Sequence, residues 1–305
     1  MRKHRRGAIG ATLVAIALVA SACGSGDDAG PGEGPEIIIG SQDFGESAIL
    51  AEIYAGALET EGFTVRVQPV GGFRDLLLGA FESGDVNLSP EYAASMLEFL
   101  NDRAGEATGD AQATTDLLNE RLIDLGIVAL DPSDAVDTNA FVITSETASS
   151  LGIASLSDLA EKGADLVLGG PPDCETNPFC IPGLARVYGL DMSQSFQPLD
   201  AGQITVQALE ADQIDVAILF STSGVIADRG FVLLEDDLNM LAADNVVPVL
   251  STELIEAYGD AIEAVLNEVS SKLTTAYLTA MNKQFDIDNE DADDIAAQWL
   301  EENGF

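Results

Sequence analysis

The strongest constraint on the fold is a rhythm: apolar runs too short for helices alternate with longer stretches in which apolar residues recur every three or four positions. Ile37-Ile38-Ile39 ends in Gly40-Ser41, the pattern of a buried strand that feeds a loop. Ile49, Leu50, Ile53, Tyr54, Ala57 and Leu58 then follow at helical spacing, and Glu61-Gly62 stops them. Phe63, Val65 and Val67 alternate with polar neighbours as a strand does. Gly71-Gly72 turns the chain into a helix carrying Leu76, Leu77, Ala80 and Phe81, and Val86 to Leu88 reads as a third strand. Strand, helix, strand, helix, strand implies an α/β fold with a parallel sheet covered on both faces.

The rhythm restarts near Asn139. Phe141 to Thr144 reads as a strand, Ser157 to Lys162 as a helix and Leu166 to Leu168 as a strand. Helices around Pro182 to Tyr188 and Ile204 to Ala211 lead to the strand Ile214 to Phe220. Phe231 to Leu234 and Val246 to Leu250 read as returning strands, and Thr252 to Met281 and Glu290 to Glu302 as long amphipathic helices. The expected architecture is two α/β lobes, one formed by residues 37–138 plus 246–305 and the other by residues 139–245. Loops at the carboxyl ends of the strands would line a cleft between them.

The N-terminus carries a different message. Four basic side chains precede an apolar run from Ala8 to Ala20, and Ser21-Ala22-Cys23 follows, the order of a bacterial export signal over residues 1–22. The apolar run is shorter than the roughly 20 residues that span a bilayer. Small residues before Cys23 resemble a lipobox, which makes Cys23 the expected lipidation site; simple secretion with cleavage nearby is the alternative. Residues 23–36, rich in Gly, Pro, Asp and Ser, suit a flexible tether. The expected location is therefore extracytoplasmic, on the outer face of the cell membrane.

Removing residues 1–22 leaves nine basic and 52 acidic side chains, a formal charge of −43. Such a surface rejects nucleic acid and anionic headgroups. It suits solvation, in a saline habitat for instance, or steering of a cationic ligand. The single histidine, His4, leaves with the signal, so the exported chain has no imidazole for a Ser-His-Asp or Cys-His mechanism or for zinc. Carboxylate-only catalysis survives that filter, with Asp43 and Glu91 as the candidate pair. Cys174 and Cys180 are expected to form a disulfide that fixes the Pro171 to Pro182 loop. A two-cysteine redox or metal site is the alternative, at a spacing that matches no common motif.

Several segments resemble the substrate-binding proteins of glycine betaine, choline and osmoprotectant ABC transporters. In the first lobe these are Ile39-Gly40-Ser41-Gln42-Asp43-Phe44, Gly71-Gly72-Phe73-Arg74 and Asn87-Leu88-Ser89-Pro90-Glu91-Tyr92. In the second they are Gly170-Pro171-Pro172-Asp173-Cys174, Pro182-Gly183-Leu184 and Phe220-Ser221-Thr222-Ser223-Gly224. The resemblance implies a two-lobed periplasmic-binding-protein fold of type II, a monomer without cofactor that closes over a small solute and meets a permease and ATPase complex. A sensor or adhesion lipoprotein of the same fold is the other reading it leaves open.

By the same resemblance, ligand-binding positions fall at Ser41, Gln42, Asp43, Phe44, Gly72, Phe73, Arg74, Ser89, Glu91 and Tyr92 of the first lobe. Asn139, Glu175, Gln203, Phe220, Ser221 and Thr222 face them from the second. Members of the family hold a quaternary ammonium in a cage of tyrosines. Ser89, Asn139 and Phe220 stand where three of those tyrosines are usual, and Asn177 stands where an arginine is. Arg74 has two readings, a clamp on a ligand carboxylate or a partner for a neighbouring acid. Glu91 likewise suits a cationic ligand or a structural hydrogen bond.

Overall fold

The structure, a computed structural model, describes residues 32, 34–199 and 202–305. The expectations for residues 1–22 and for Cys23 lie outside these. Ten strands follow in chain order. The first four are β1 (Ile37–Gln42), β2 (Val65–Gly71), β3 (Leu88–Tyr92) and β4 (Ile127–Ala129). The next three are β5 (Asn139–Ile143), β6 (Leu168–Gly170) and β7 (Phe196–Pro198). The last three are β8 (Val216–Phe220), β9 (Val232–Leu233) and β10 (Val246–Ser251). They form two five-stranded sheets, in the orders β2-β1-β3-β10-β4 and β7-β6-β8-β5-β9.

Both sheets are mixed rather than wholly parallel. β1 runs parallel to β2 and β3, but β10 is antiparallel to β3 and β4, and β5 is antiparallel to β8 and β9. The reason is connectivity. β10 enters the first sheet on its return from the second lobe, without the covering helix that a parallel neighbour needs.

The helix Gly45–Thr60 lies between the first sheet and the C-terminal helices, so it is buried on almost every side. Ile49, Leu50, Ile53, Tyr54 and Leu58 are wholly enclosed, and so are Tyr258, Ile262 and Leu266 against them. Each such aliphatic side chain contributes about 1.5–3 kcal/mol through removal from water. The stretch expected as one long helix from Thr252 is three: Thr252–Tyr258, Asp260–Lys272 and Thr275–Asp286. Gly259, at φ 54° and ψ −139°, makes the first break, a conformation that costs glycine no Cβ clash. Leu273 is extended at the second, and the Thr274 hydroxyl caps the next helix by accepting from the Tyr277 amide.

Two glycines let the helix Thr275–Asp286 wedge between the lobes. A Cβ at Gly45 would meet the Phe285 ring at 2.4 Å, and one at Gly224 would meet Lys283 Cα at 2.8 Å. Two segments pass between the sheets, residues 130–138 and 234–245, and their inner ends pair with each other. Asp137 N donates to Asp244 O at 3.1 Å, and Val246 N to Ala135 O at 3.0 Å. Val136 and Asn245 form an antiparallel bridge, and the Asn245 amide reaches Ser133 O at 2.7 Å.

Candidate functional site

Because β1 and β3 are adjacent and parallel, their carboxyl ends bring Gln42 beside Glu91, with Gln42 Nε2 donating to Glu91 Oε1 at 3.1 Å. The helix Arg74–Ser83 begins where β2 ends, which puts Arg74 over the same carboxylate. Arg74 Nε donates to the two Glu91 oxygens at 3.1 and 3.0 Å and Nη2 to Oε2 at 2.9 Å. The Tyr92 amide adds a fourth donor at 3.0 Å. Glu91 is wholly buried and fully engaged by protein groups, and Arg74 takes the second of its two readings, partner to an acid.

A second carboxylate, Glu46, occupies the seam between the lobes. It sits in the first turn of the helix Gly45–Thr60, a position the sequence reading passed over. Tyr92 Oη donates to its Oε1 at 2.5 Å, Thr222 Oγ1 to its Oε2 at 2.8 Å, and Asn282 Nδ2 bonds Oε2 as well. Asp137 lies behind Thr222, accepting from the Thr222 amide at 3.2 Å and from Ser221 Oγ at 3.3 Å. Burial outweighs these hydrogen bonds and raises the Glu46 carboxyl above the usual range. Burial and then the neighbouring Glu46 raise Asp137 further still. Burial, reinforced by Glu46, also lifts the Tyr92 phenol well above its ordinary value.

Around this polar seam stand aromatic rings. Phe44 is 41% exposed and its ring centre lies 6.2 Å from that of Tyr92. Phe220, at the carboxyl end of β8, is 45% exposed and sits in register with Asn139, whose side-chain amide donates to Phe179 O at 3.3 Å. Asp43 and Gly72 are exposed neighbours across the β1 and β2 loops, and Phe73 beside them is the most exposed of the rings.

Other expected positions fall elsewhere. Ser41 is buried at the end of β1, its hydroxyl against Gln42 O. Ser89 is wholly buried, with its hydroxyl given to Gly40 O at 2.9 Å. Glu175 and Gln203 are exposed at the starts or ends of short elements and, among the described residues, hydrogen-bond to none of the other candidates. The Asp43 and Glu91 carboxylates differ in kind, one exposed and one locked by Arg74. Cys174 and Cys180 form a disulfide with Cα atoms 5.2 Å apart, which closes the loop beneath Phe179.

Two α/β lobes on mixed sheets, joined by a paired ribbon and meeting at a seam of polar groups and rings, define a solute-binding protein of the periplasmic class. The chain belongs to the family described as the substrate binding domain of ABC-type glycine betaine transport systems, whose model it matches over residues 35–302. It is 27% identical over 294 residues to a glycine-betaine-binding protein of Pseudomonas aeruginosa, covering 92% of each chain. It is 23% identical to the glycine betaine-binding protein YehZ of Escherichia coli, covering 88% of this chain and 90% of that one. Among solved structures, that of a glycine betaine/carnitine/choline ABC transporter protein superposes with a TM-score of 0.74 at 22% identity, covering 87% of this chain and 98% of the other.

Proposed function

We propose that the chain captures glycine betaine or a compact quaternary ammonium relative by closure of its lobes, 37–138 plus 246–305 on 139–245, and hands it to an ABC permease without altering it. The observation that carries this reading is the placement of two exposed rings, Phe44 and Phe220, one from each lobe, with the buried Tyr92 beside buried carboxylates. Phe44 and Tyr92 stand on one side of the Glu46 to Thr222 contact, and Phe220 stands two residues from Thr222 on the other. A methylated ammonium donates no hydrogen bonds, and aromatic faces attract it by about 0.5–2 kcal/mol per contact. Ligand binding then shifts the population toward the closed arrangement.

In a thermal-shift experiment, glycine betaine at 100 times its dissociation constant adds about 2.7 kcal/mol of stability, a readily measured rise in Tm. Phe44→Ala and Phe220→Ala each weaken its binding by roughly 2- to 30-fold by calorimetry. Stabilisation by an unrelated solute alone would keep the importer and discard the osmolyte.

The rest of the reading is monomeric, free of nucleic acid and held to the membrane through lipid on Cys23, with residues 24–36 as tether. Cys23→Ala then releases the protein from the membrane fraction of expressing cells. Retention of that variant on membranes would sink the anchor.

A further inference from the structure

Where the lobes meet, two carboxylates are joined through one threonine, and among the described residues neither forms an ion pair. Glu46 belongs to the first lobe, and Thr222, just past β8, belongs to the second. The Thr222 hydroxyl donates to Glu46 Oε2, and the Thr222 amide donates to Asp137 on the ribbon. Asn282 fastens the junction from a third side, its Nδ2 reaching Thr222 O at 3.2 Å and Thr222 Oγ1 at 3.1 Å besides Glu46. Glu46, Thr222 and Asn282 are all buried, and Asp137 is partly so.

The titratable groups that face this pair bring no positive charge. Tyr92 approaches from β3 and Asp286 from the end of the helix Thr275–Asp286, with Asp244 near Asp137 and Glu91 near Tyr92. Lys283, next to Asn282, is paired with Asp288, and Arg74 with Glu91. Two like charges in a poorly hydrated seam raise each other's affinity for a proton, the direction found for both acids. The partners accommodate such a proton. A hydroxyl both donates and accepts, so Tyr92 Oη or Thr222 Oγ1 can turn to receive a proton carried by Glu46, and no bond is lost. A second contact between the lobes, from Arg103 Nη1 to Thr176 Oγ1, has no such capacity, because a guanidinium keeps its charge.

We propose that Glu46 and Asp137 form a proton-operated latch: one proton between them lets Thr222 hold the lobes together, and its release to water leaves both acids ionised and drives the seam apart. The effect on a solute rests on the capture reading above; the motion of the lobes does not. The sign follows from hydration. Water reaches both acids when the lobes part, so the open form gives up the proton near the ordinary carboxylate range, and the closed form keeps it to higher pH. Between those limits the closed form binds more protons, and closure weakens as pH rises.

The test combines calorimetry with glycine betaine and small-angle scattering without ligand, both on the full-length protein. Salt at 1 M screens surface charge beyond about 3 Å and leaves a buried pair largely unscreened. From about pH 5 to about pH 9 glycine betaine itself does not titrate, since its carboxylate is ionised and its ammonium carries no proton. In the wild type its dissociation constant is expected to rise about 10-fold over that range, and the radius of gyration of the ligand-free protein to rise with it. In Glu46→Gln, which copies the protonated acid, the ratio falls to about 2-fold or less and the radius stays constant; Asp137→Asn does the same. Asp244→Asn, whose side-chain bonds stay on Ser95 of the first lobe, keeps the wild-type ratio. A merely structural role for Glu46 shifts affinity equally across the range, and that result, or a flat profile in the wild type, overturns the proposal. So does an equal flattening by Asp244→Asn. Should glycine betaine bind at no pH, the osmolyte reading fails separately and scattering alone decides. A radius that rises with pH in the wild type and not in Glu46→Gln keeps the latch; any other pattern overturns it.

Discussion

Replacing Arg74 with alanine is expected to destabilise the protein by about 3–5 kcal/mol, seen as a lower midpoint in urea unfolding. Glu91 is wholly buried while the Arg74 side chain is only 22% exposed, so little water screens the pair. Without the guanidinium, Gln42 Nε2 and the Tyr92 amide remain as donors, and neither carries charge. A buried carboxylate with neutral donors alone is costly. Adding Glu91→Gln to Arg74→Ala removes the stranded charge and should recover most of the loss, which a deletion of packing would not allow. A cost for Arg74→Ala below about 1 kcal/mol would mean that solvent reaches Glu91 readily.

The second large effect is a dependence on pH from Asp244. This residue lies on the ribbon between the lobes, with Ser95 N donating to Oδ1 at 2.9 Å and Ser95 Oγ to Oδ2 at 2.5 Å. Burial pushes its carboxyl up to about 6, against the hydrogen bonds from Ser95 and the nearby Arg74, while Glu91 adds to the rise. The unfolded chain releases this proton near the ordinary aspartate value of 3.9 and the folded chain retains it to about 6. Folded protein therefore binds more protons in that window, and stability falls as pH rises through it. The loss is complete above the folded value and amounts to about 3 kcal/mol at most, at ~1.4 kcal/mol per tenfold in proton affinity. General repulsion among the acidic residues runs in the same direction, so the comparison is with Asp244→Asn. Urea midpoints at pH 4.5 and 7.5 should differ less in that variant than in the wild type. An equal difference in both would assign the whole effect to the surface charge.

The alternation of strands and helices was legible because burial on two faces writes itself as apolar runs at β1 and β8, whereas the run Leu166 to Leu168 only leads into β6, whose own residues are Leu168, Gly169 and Gly170. β3 was harder. Its apolar part stops at Leu88, yet the strand runs to Tyr92 through Pro90, and proline ordinarily argues against a strand interior. Here Pro90 lies directly opposite Pro248 of β10, so the two residues without N–H groups share one rung. The helices Ala93–Leu100 and Ala111–Leu122 follow without the strong punctuation that marked the others.

The seam that forms the candidate site was legible where a motif spans a strand end, as at Gln42, Glu91, Tyr92 and Thr222, and illegible where one polar residue sits in a helix. Glu46 reads as an ordinary acid in a first helical turn, where the backbone dipole favours it. Asn282 left a trace that periodicity shows in retrospect, a polar side chain on the stripe of Leu278, Met281 and Phe285. Arg103, in a polar loop, left none. Its position depends on the buried Glu98, whose carboxylate accepts from the Gly105 and Ala107 amides, and no local pattern encodes that.

The paired ribbon between the lobes governs more than their attachment. Two separate strings would let one lobe swivel freely over the other. Hydrogen bonds from Asp137 to Asp244 and from Val246 to Ala135 make the two strings one flat band, which flexes across its width and resists torsion. Bending of such a band brings one lobe toward the other about the line on which Asp137 and Asp244 pair. Two strings tied to each other favour bending over twist, so the rims of the two lobes approach each other more readily than they slide past.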